Sequence, residues 1–124
     1  HRLARQIGMK PAMGMILTGK RVSAAEGQRL GFINEVVADA DLMRVTRRWC
    51  DEILKCSPMA VRASKETVLR GLDEPSLAAA MAAQADYPAF AAWRSSDDAR
   101  EGPRAFAEKR PPNWQGRTTG GDPQ

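Results

Sequence analysis

Apolar residues along this chain recur mainly at three- and four-residue steps, a spacing that predicts helices rather than strands. Leu3 and Ile7 open the pattern. Met13, Ile16 and Leu17 follow on a short helix that Pro11 can begin and Thr18-Gly19 can end. Proline suits a first helical turn, and glycine takes the left-handed position past a last one. Ser23-Ala24-Ala25-Glu26 reads as a capping box, in which the serine oxygen accepts from the Glu26 N–H and the glutamate reaches back to the Ser23 N–H. Gly31 stops that helix. Phe32 through Val37 then reads as one short strand, with β-branched residues towards its end.

A longer helix is expected from Asp39 or Asp41 to about Lys55, with Leu42, Val45, Trp49 and Ile53 forming one buried stripe. Ser57-Pro58 begins another, serine as cap and proline in the first turn, running to about Gly71. A fourth, alanine-rich helix starts after Asp73-Glu74-Pro75-Ser76 and carries Leu77, Met81 and Ala85. Pro88 should break it, because proline has no backbone donor and clashes with the preceding turn. Ser96-Asp97-Asp98 opens a turn, Gly102-Pro103 interrupts, and 103–110 form a last short helix whose charges suit its dipole. The expected organisation is mainly α with at most one short strand. Residues 1–38 are short helices plus that strand, 39–114 a helical region, and 115–124, rich in Pro, Gly and Thr, a disordered tail.

The length of 124 residues suits one modest core, and 43% hydrophobic with 27% charged residues is a globular balance, not a disordered one. No stretch is apolar for long enough to cross a bilayer. The chain opens on His1 inside an amphipathic pattern, which implies a fragment of something longer. Cys50 and Cys56 lie about 9 Å apart along a helix at 1.5 Å per residue, too far for a disulfide without unwinding. Free thiols in a reducing cytosol, and so a cytoplasmic protein, are expected. With His1 as the sole histidine, the spacing and partners of a metal site are missing. The net charge of +4 favours anionic partners without choosing among them.

Leu17-Thr18-Gly19, Ser23-Ala24-Ala25-Glu26, Leu30-Gly31-Phe32-Ile33 and Val36-Val37 together resemble the stretch that follows the catalytic region of the enoyl-CoA hydratase/isomerase, or crotonase, family, with Gly27 in place of its usual alanine. Such a glycine weakens a helix by up to about 1 kcal/mol. Ser57-Pro58 with Lys65 matches a second segment. The most specific match is Ser96, Asp98, Glu101-Gly102, Ala105-Phe106, Glu108-Lys109-Arg110, Pro112 and Trp114, many fixed residues at fixed spacing. The resemblance runs from about Arg2 to Trp114 and implies the C-terminal helical region of a crotonase-like (ClpP/crotonase) fold, of the kind that assembles into trimers or hexamers.

It also implies an enzyme acting on acyl-CoA thioesters, most often an enoyl-CoA hydratase in fatty-acid or related acyl metabolism. Isomerase, decarboxylase and dehalogenase reactions are the alternatives within the family. No cofactor is expected, since the CoA thioester is the substrate. The oxyanion hole and two glutamates of the hydratases are expected upstream of this chain, so it carries no catalytic residue and should be inactive alone. By the same resemblance Lys109 is placed at the adenosine-phosphate end of CoA, with Phe106 one turn earlier and Phe90 as a further contact. Each has a plainer alternative as core or solvated helix surface.

Could chemistry reside here instead? Asp97, Asp98 and Glu101 cluster, but at a helix start, where acids ordinarily act as caps. A basic nucleic-acid-binding module would draw on Arg47-Arg48 and the tryptophans Trp49, Trp93 and Trp114. Against it, Trp49 lies on its helix's apolar stripe, and Arg100, Glu101, Arg104 and Glu108 mix signs. Neither nucleic acid nor membrane is expected as a partner. A purely oligomerising module is compatible with the family reading.

Overall fold

The computed structural model describes residues 1–117, and every element among them is helical. The chain divides into two compact units, His1–Thr46 and Arg47–Gln124. Their border falls inside a helix. The expected tail, 115–124, lies mostly outside the described residues.

In the first unit, α1 (Arg2–Ile7) and α2 (Met9–Thr18) are separated by Gly8, whose φ of 82° and ψ of 163° suit only glycine. Gly19 and Gly31, both left-handed, end α2 and α3 (Ala24–Leu30) as expected. Half of the capping box forms: Ser23 Oγ accepts from the Glu26 N–H at 3.2 Å. The other half does not, because the Glu26 carboxylate is engaged by Arg29 at 2.6 Å and 2.8 Å. Gly27 does more than weaken α3. Phe32 and Ile33 fold back over it, their N–H groups donating to Gly27 O, and a Cβ there would sit 2.7 Å from Ile33 Cδ1.

The strand expected at 32–37 is absent. Those residues form a turn and an irregular segment. Residues of high strand propensity such as Ile33, Val36 and Val37 make a strand only beside a partner strand, and the helical neighbours supply none. A 3₁₀ turn, Asp39–Asp41, then leads into α4 (Leu42–Leu54), with Asp41 paired to Arg44 rather than capping the helix. The stripe on α4 is a second correction. Val45 is buried, but Leu42, Trp49 and Ile53 are exposed. Three of the four stripe positions are thus exposed within this chain, with the Arg48 guanidinium 5.6 Å from the Trp49 ring centroid.

The second unit is organised on α5 (Pro58–Gly71), against which α7 (Pro88–Arg94) lies along its length and α8 (Asp97–Ala107) at one end. Between them α6 (Leu77–Ala83) and a 3₁₀ turn, Gln84–Asp86, lead to the break that Pro88 was expected to make. Met59, Ala63, Tyr87 and Ala105 are the buried apolar residues of this unit, joined by buried Ser57, Ser96 and Asp98. α8 corrects the sequence reading too. It is one continuous helix from Asp97, with Pro103 in its interior. The proline forfeits the bond its N–H would make to Ala99 O, a local loss. Burial of Ala105, the Ser96 cap and the anchoring of Asp98 hold the helix through it. After α8 the chain returns past the start of α5, where Trp114 Nε1–H donates at 2.8 Å to Lys55 O in the turn before that helix and the indole lies beside Gly102.

Candidate functional site

Helix α8 positions most of the residues that the sequence singled out. Ser96, fully buried, caps its start by accepting from the Ala99 N–H at 3.3 Å, while its own hydroxyl donates to Trp93 O at 2.6 Å. At the other end the Arg110 N–H donates to Ala105 O and the Lys109 N–H to Phe106 O. This is a Schellman closure. Its left-handed position belongs to Lys109, at φ 52°, the one described residue other than glycine with positive φ. A side chain in that conformation costs about 1–2 kcal/mol relative to glycine, so the lysine is held where glycine would be easier.

Three ion pairs brace this terminus. Arg110 grips Glu101 with both terminal nitrogens, at 2.5 Å and 2.9 Å, and its Nε–H donates to Glu108 at 2.6 Å. Arg104 completes the set through Glu108 at 3.0 Å. The Arg110 hydrogen bonds, helped by the Asn113 N–H at 2.7 Å, hold the Glu101 carboxyl down at about 2. Glu108 is likewise lowered, first by Arg110 and then by Arg104. Arg110 is raised in return, Glu101 contributing most. A polar hollow of about 550 Å³ lies against this network, walled by Asp97, Arg100, Glu101, Arg104, Arg110 and Asn113 among others.

Phe106 and Lys109 both stand exposed at this end, Phe106 at 86%. The Phe106 ring is therefore not part of a core within this chain. Phe90 lies elsewhere: it lines an apolar cavity of about 310 Å³ between α5 and α7 with Ala60, Ala63, Thr67 and Trp93. Its ring meets Trp93 at a centroid distance of 5.4 Å and 51° tilt. Phe90 is half-buried there, whereas Phe106 is exposed.

The acidic cluster is committed to structure. Asp98, 2% exposed, accepts from Ser57 Oγ–H at 2.6 Å and from the Gln115 and Gly116 N–H groups at 2.7 Å and 3.2 Å. Glu101 is saturated by Arg110 and Asn113, and Asp97 pairs with Arg100 at 3.7 Å. Asp98 and Glu101 thus each accept three hydrogen bonds that hold α8 in place. Among the described residues no group of histidine, cysteine or acidic side chains could hold a metal ion. Cys50 and Cys56 are free and exposed. No helix among those residues is long and apolar enough to cross a membrane.

Sequence reasoning missed Glu66. From α5 its Oε2 accepts the Ala89 N–H at 2.6 Å and the Phe90 N–H at 3.4 Å, capping α7 from a different helix, while Arg70 pairs with its other oxygen at 3.1 Å. The signal available was Pro88 itself: a helix begun by proline after Tyr87 has no serine or aspartate cap of its own.

Comparison with known proteins bears on what these surfaces serve. The family model described as enoyl-CoA hydratase/isomerase matches residues 1–117. Enoyl-CoA hydratase EchA19 of Mycobacterium tuberculosis is 39% identical over 117 residues, covering 94% of this chain and 42% of that protein. Carnitinyl-CoA dehydratase of Salmonella typhi is 37% identical over 107 residues, covering 83% of this chain and 40% of that one. Among solved structures, an enoyl-CoA hydratase/isomerase from Mycobacterium paratuberculosis superposes with a TM-score of 0.83 at 35% identity, covering 94% of this chain and 45% of that one. An enoyl-CoA hydratase from Bacillus anthracis gives 0.81 at 33% identity, covering 94% and 44%. The chain thus spans about two-fifths of the length of these curated relatives.

Proposed function

The chain belongs to the enoyl-CoA hydratase/isomerase family, and from that premise we propose that it is the C-terminal helical part of an acyl-CoA enzyme, an enoyl-CoA hydratase in its commonest form. The reaction is addition of water across the 2,3 double bond of an enoyl-CoA thioester, hydroxyl to C3 and proton to C2. Two relatives' names, a hydratase and a dehydratase, describe the two directions of such chemistry. Isomerase chemistry, also in the family description, is the alternative.

The observation that carries this reading is the family match over residues 1–117, together with the engagement of Asp98 and Glu101 in hydrogen bonds that hold α8. A hydratase needs a base to activate water, an acid to protonate C2, and donors aimed at the thioester oxygen as enolate charge develops. Asp98 and Glu101 are spent on Ser57, Arg110 and backbone N–H groups, so those parts belong to the remainder of the parent. This chain supplies the edge. Lys109 offers an ammonium to a CoA phosphate and Phe106 a flat apolar face beside it; Phe90 contributes at most by packing α7 onto α5. The exposed apolar side chains of α2 and α4, and Phe106, are surfaces that the remainder of the parent or neighbouring subunits cover in a trimer or hexamer.

Steady-state kinetics of the full-length parent on a short enoyl-CoA test the assignment. Hydration at a rate well above buffer is the expected result, with Lys109→Ala raising KM several-fold while kcat changes little. Turnover of a non-thioester substrate alone, or an unchanged KM in that variant, contradicts it.

A further inference from the structure

Helix α6 is bracketed by prolines. On entry the Asp73 N–H donates to Arg70 O and the Glu74 N–H to Gly71 O, and Pro75 then has no N–H to give. On exit the 3₁₀ turn closes through the Tyr87 N–H to Gln84 O at 3.2 Å, and Pro88 again has none. α7 starts afresh, its leading donors answered by Glu66 on α5 rather than by carbonyls of α6. The two ends of the segment are meanwhile tied to each other: Tyr87, buried, donates its hydroxyl to Glu74 Oε1 at 3.4 Å, under the Arg70 guanidinium at 5.3 Å from its ring.

Between those ties α6 is an intact rod capped by Ser76, whose Oγ accepts from the Ala79 N–H at 3.1 Å, yet none of its residues is buried. Leu77 and Met81 are 78% and 68% exposed. They border a mostly apolar groove of about 540 Å³ whose other wall is exposed Val68 of α5 and Leu72 just past its end. Where α6 passes closest, α5 presents Gly71, and a Cβ there would stand 3.7 Å from the Ala80 Cβ.

We propose that residues 75–86 are a hinged strap. α6 swings as a rigid rod about its tied ends and closes the groove by bringing Leu77 and Met81 onto Val68 and Leu72. Glu66 keeps α7 latched to α5 throughout. Apolar burial favours closure, and the interrupted backbone ladder lets α6 move without unfolding its neighbours.

Hydrogen exchange on the whole chain, at several dilutions, tests this. Amides of 80–84 should exchange at least roughly tenfold faster than those of 91–95, as sub-global opening of a weakly packed element does. Pro88→Ala restores a donor at the elbow and should join α6 to α7, narrowing that gap. Gly71→Ala, which adds a methyl in ordinary contact with Ala80, should narrow it without touching the elbow. Equal protection of α6 and α7 in the unchanged chain overturns the proposal. So does a gap that neither variant narrows.

Discussion

Ser57 and Asp98, 41 residues apart in sequence, share a buried hydrogen bond of 2.6 Å that joins the start of α5 to the first turn of α8. Ser57 works in both directions. Its Oγ also accepts from the Ala60 N–H at 3.0 Å as the cap of α5, so one hydroxyl begins a helix and satisfies a buried carboxylate.

Ser57→Ala removes both roles. Losing a cap costs about 1 kcal/mol, and leaving a buried acceptor unpaired costs about 1–3 kcal/mol more. A loss of about 2–4 kcal/mol in urea unfolding is expected, with Ser57→Thr recovering most of it.

Glu101 gives the second unit a dependence on acid. Its carboxyl lies at about 2 when folded and near the ordinary carboxylate value of about 4.3 when unfolded. A depressed folded value contributes stability that is fully present above the unfolded value and is lost as pH falls towards 2. The urea midpoint should therefore drop between pH 5 and pH 2. Glu101→Gln, which keeps an acceptor for the Asn113 N–H but not the charge facing Arg110, should lower the midpoint at pH 7 and flatten that acid limb.

Lys109→Gly separates conformation from contact. Glycine relieves the left-handed position, and the chain should gain about 1 kcal/mol in stability. In the full-length parent the same change should weaken CoA binding by calorimetry, because the ammonium is gone. Lys109→Ala should weaken binding without the gain. A glycine variant that binds CoA as tightly as the parent would show that the lysine serves only the helix end.

Removing the latch on α7 is predicted to loosen it alone. Glu66→Ala returns the Ala89 and Phe90 N–H groups to solvent, a loss of about 1–2 kcal/mol by analogy with an N-cap. The near-ultraviolet signal of Trp93, whose ring packs on Phe90, should diminish while far-ultraviolet helicity changes little.

What was legible in the sequence was what local chemistry decides. Ser23, Ser57 and Ser76 cap as or near where they were placed, Gly19 and Gly31 end their helices, and Pro88 breaks the chain between α6 and α7. Where the reading failed, a neighbour out of sequence decided. The strand at 32–37 had the right residues but no partner ladder, and its Phe32 and Ile33 instead cover Gly27. Pro103 was taken for a helix boundary because its cost is local, whereas what outweighs it, the tying of Asp98 to Ser57, Gln115 and Gly116, spans most of the second unit. The α4 stripe was read as core, yet it is mostly surface within this chain. The candidate site divided the same way: Phe106 and Lys109 share one helix end, as their spacing implied, while Phe90 turned into the α5–α7 cavity that only the fold creates.

The most direct test of the central claim is to incubate the purified chain with a short enoyl-CoA and follow loss of the conjugated thioester absorbance. No turnover above buffer is predicted on the proposed reading, in which Asp98 and Glu101 hold α8 and the groups that activate water lie in the remainder of the parent. Turnover that disappears on changing Asp98 or Glu101 would contradict that account and put the chemistry on α8.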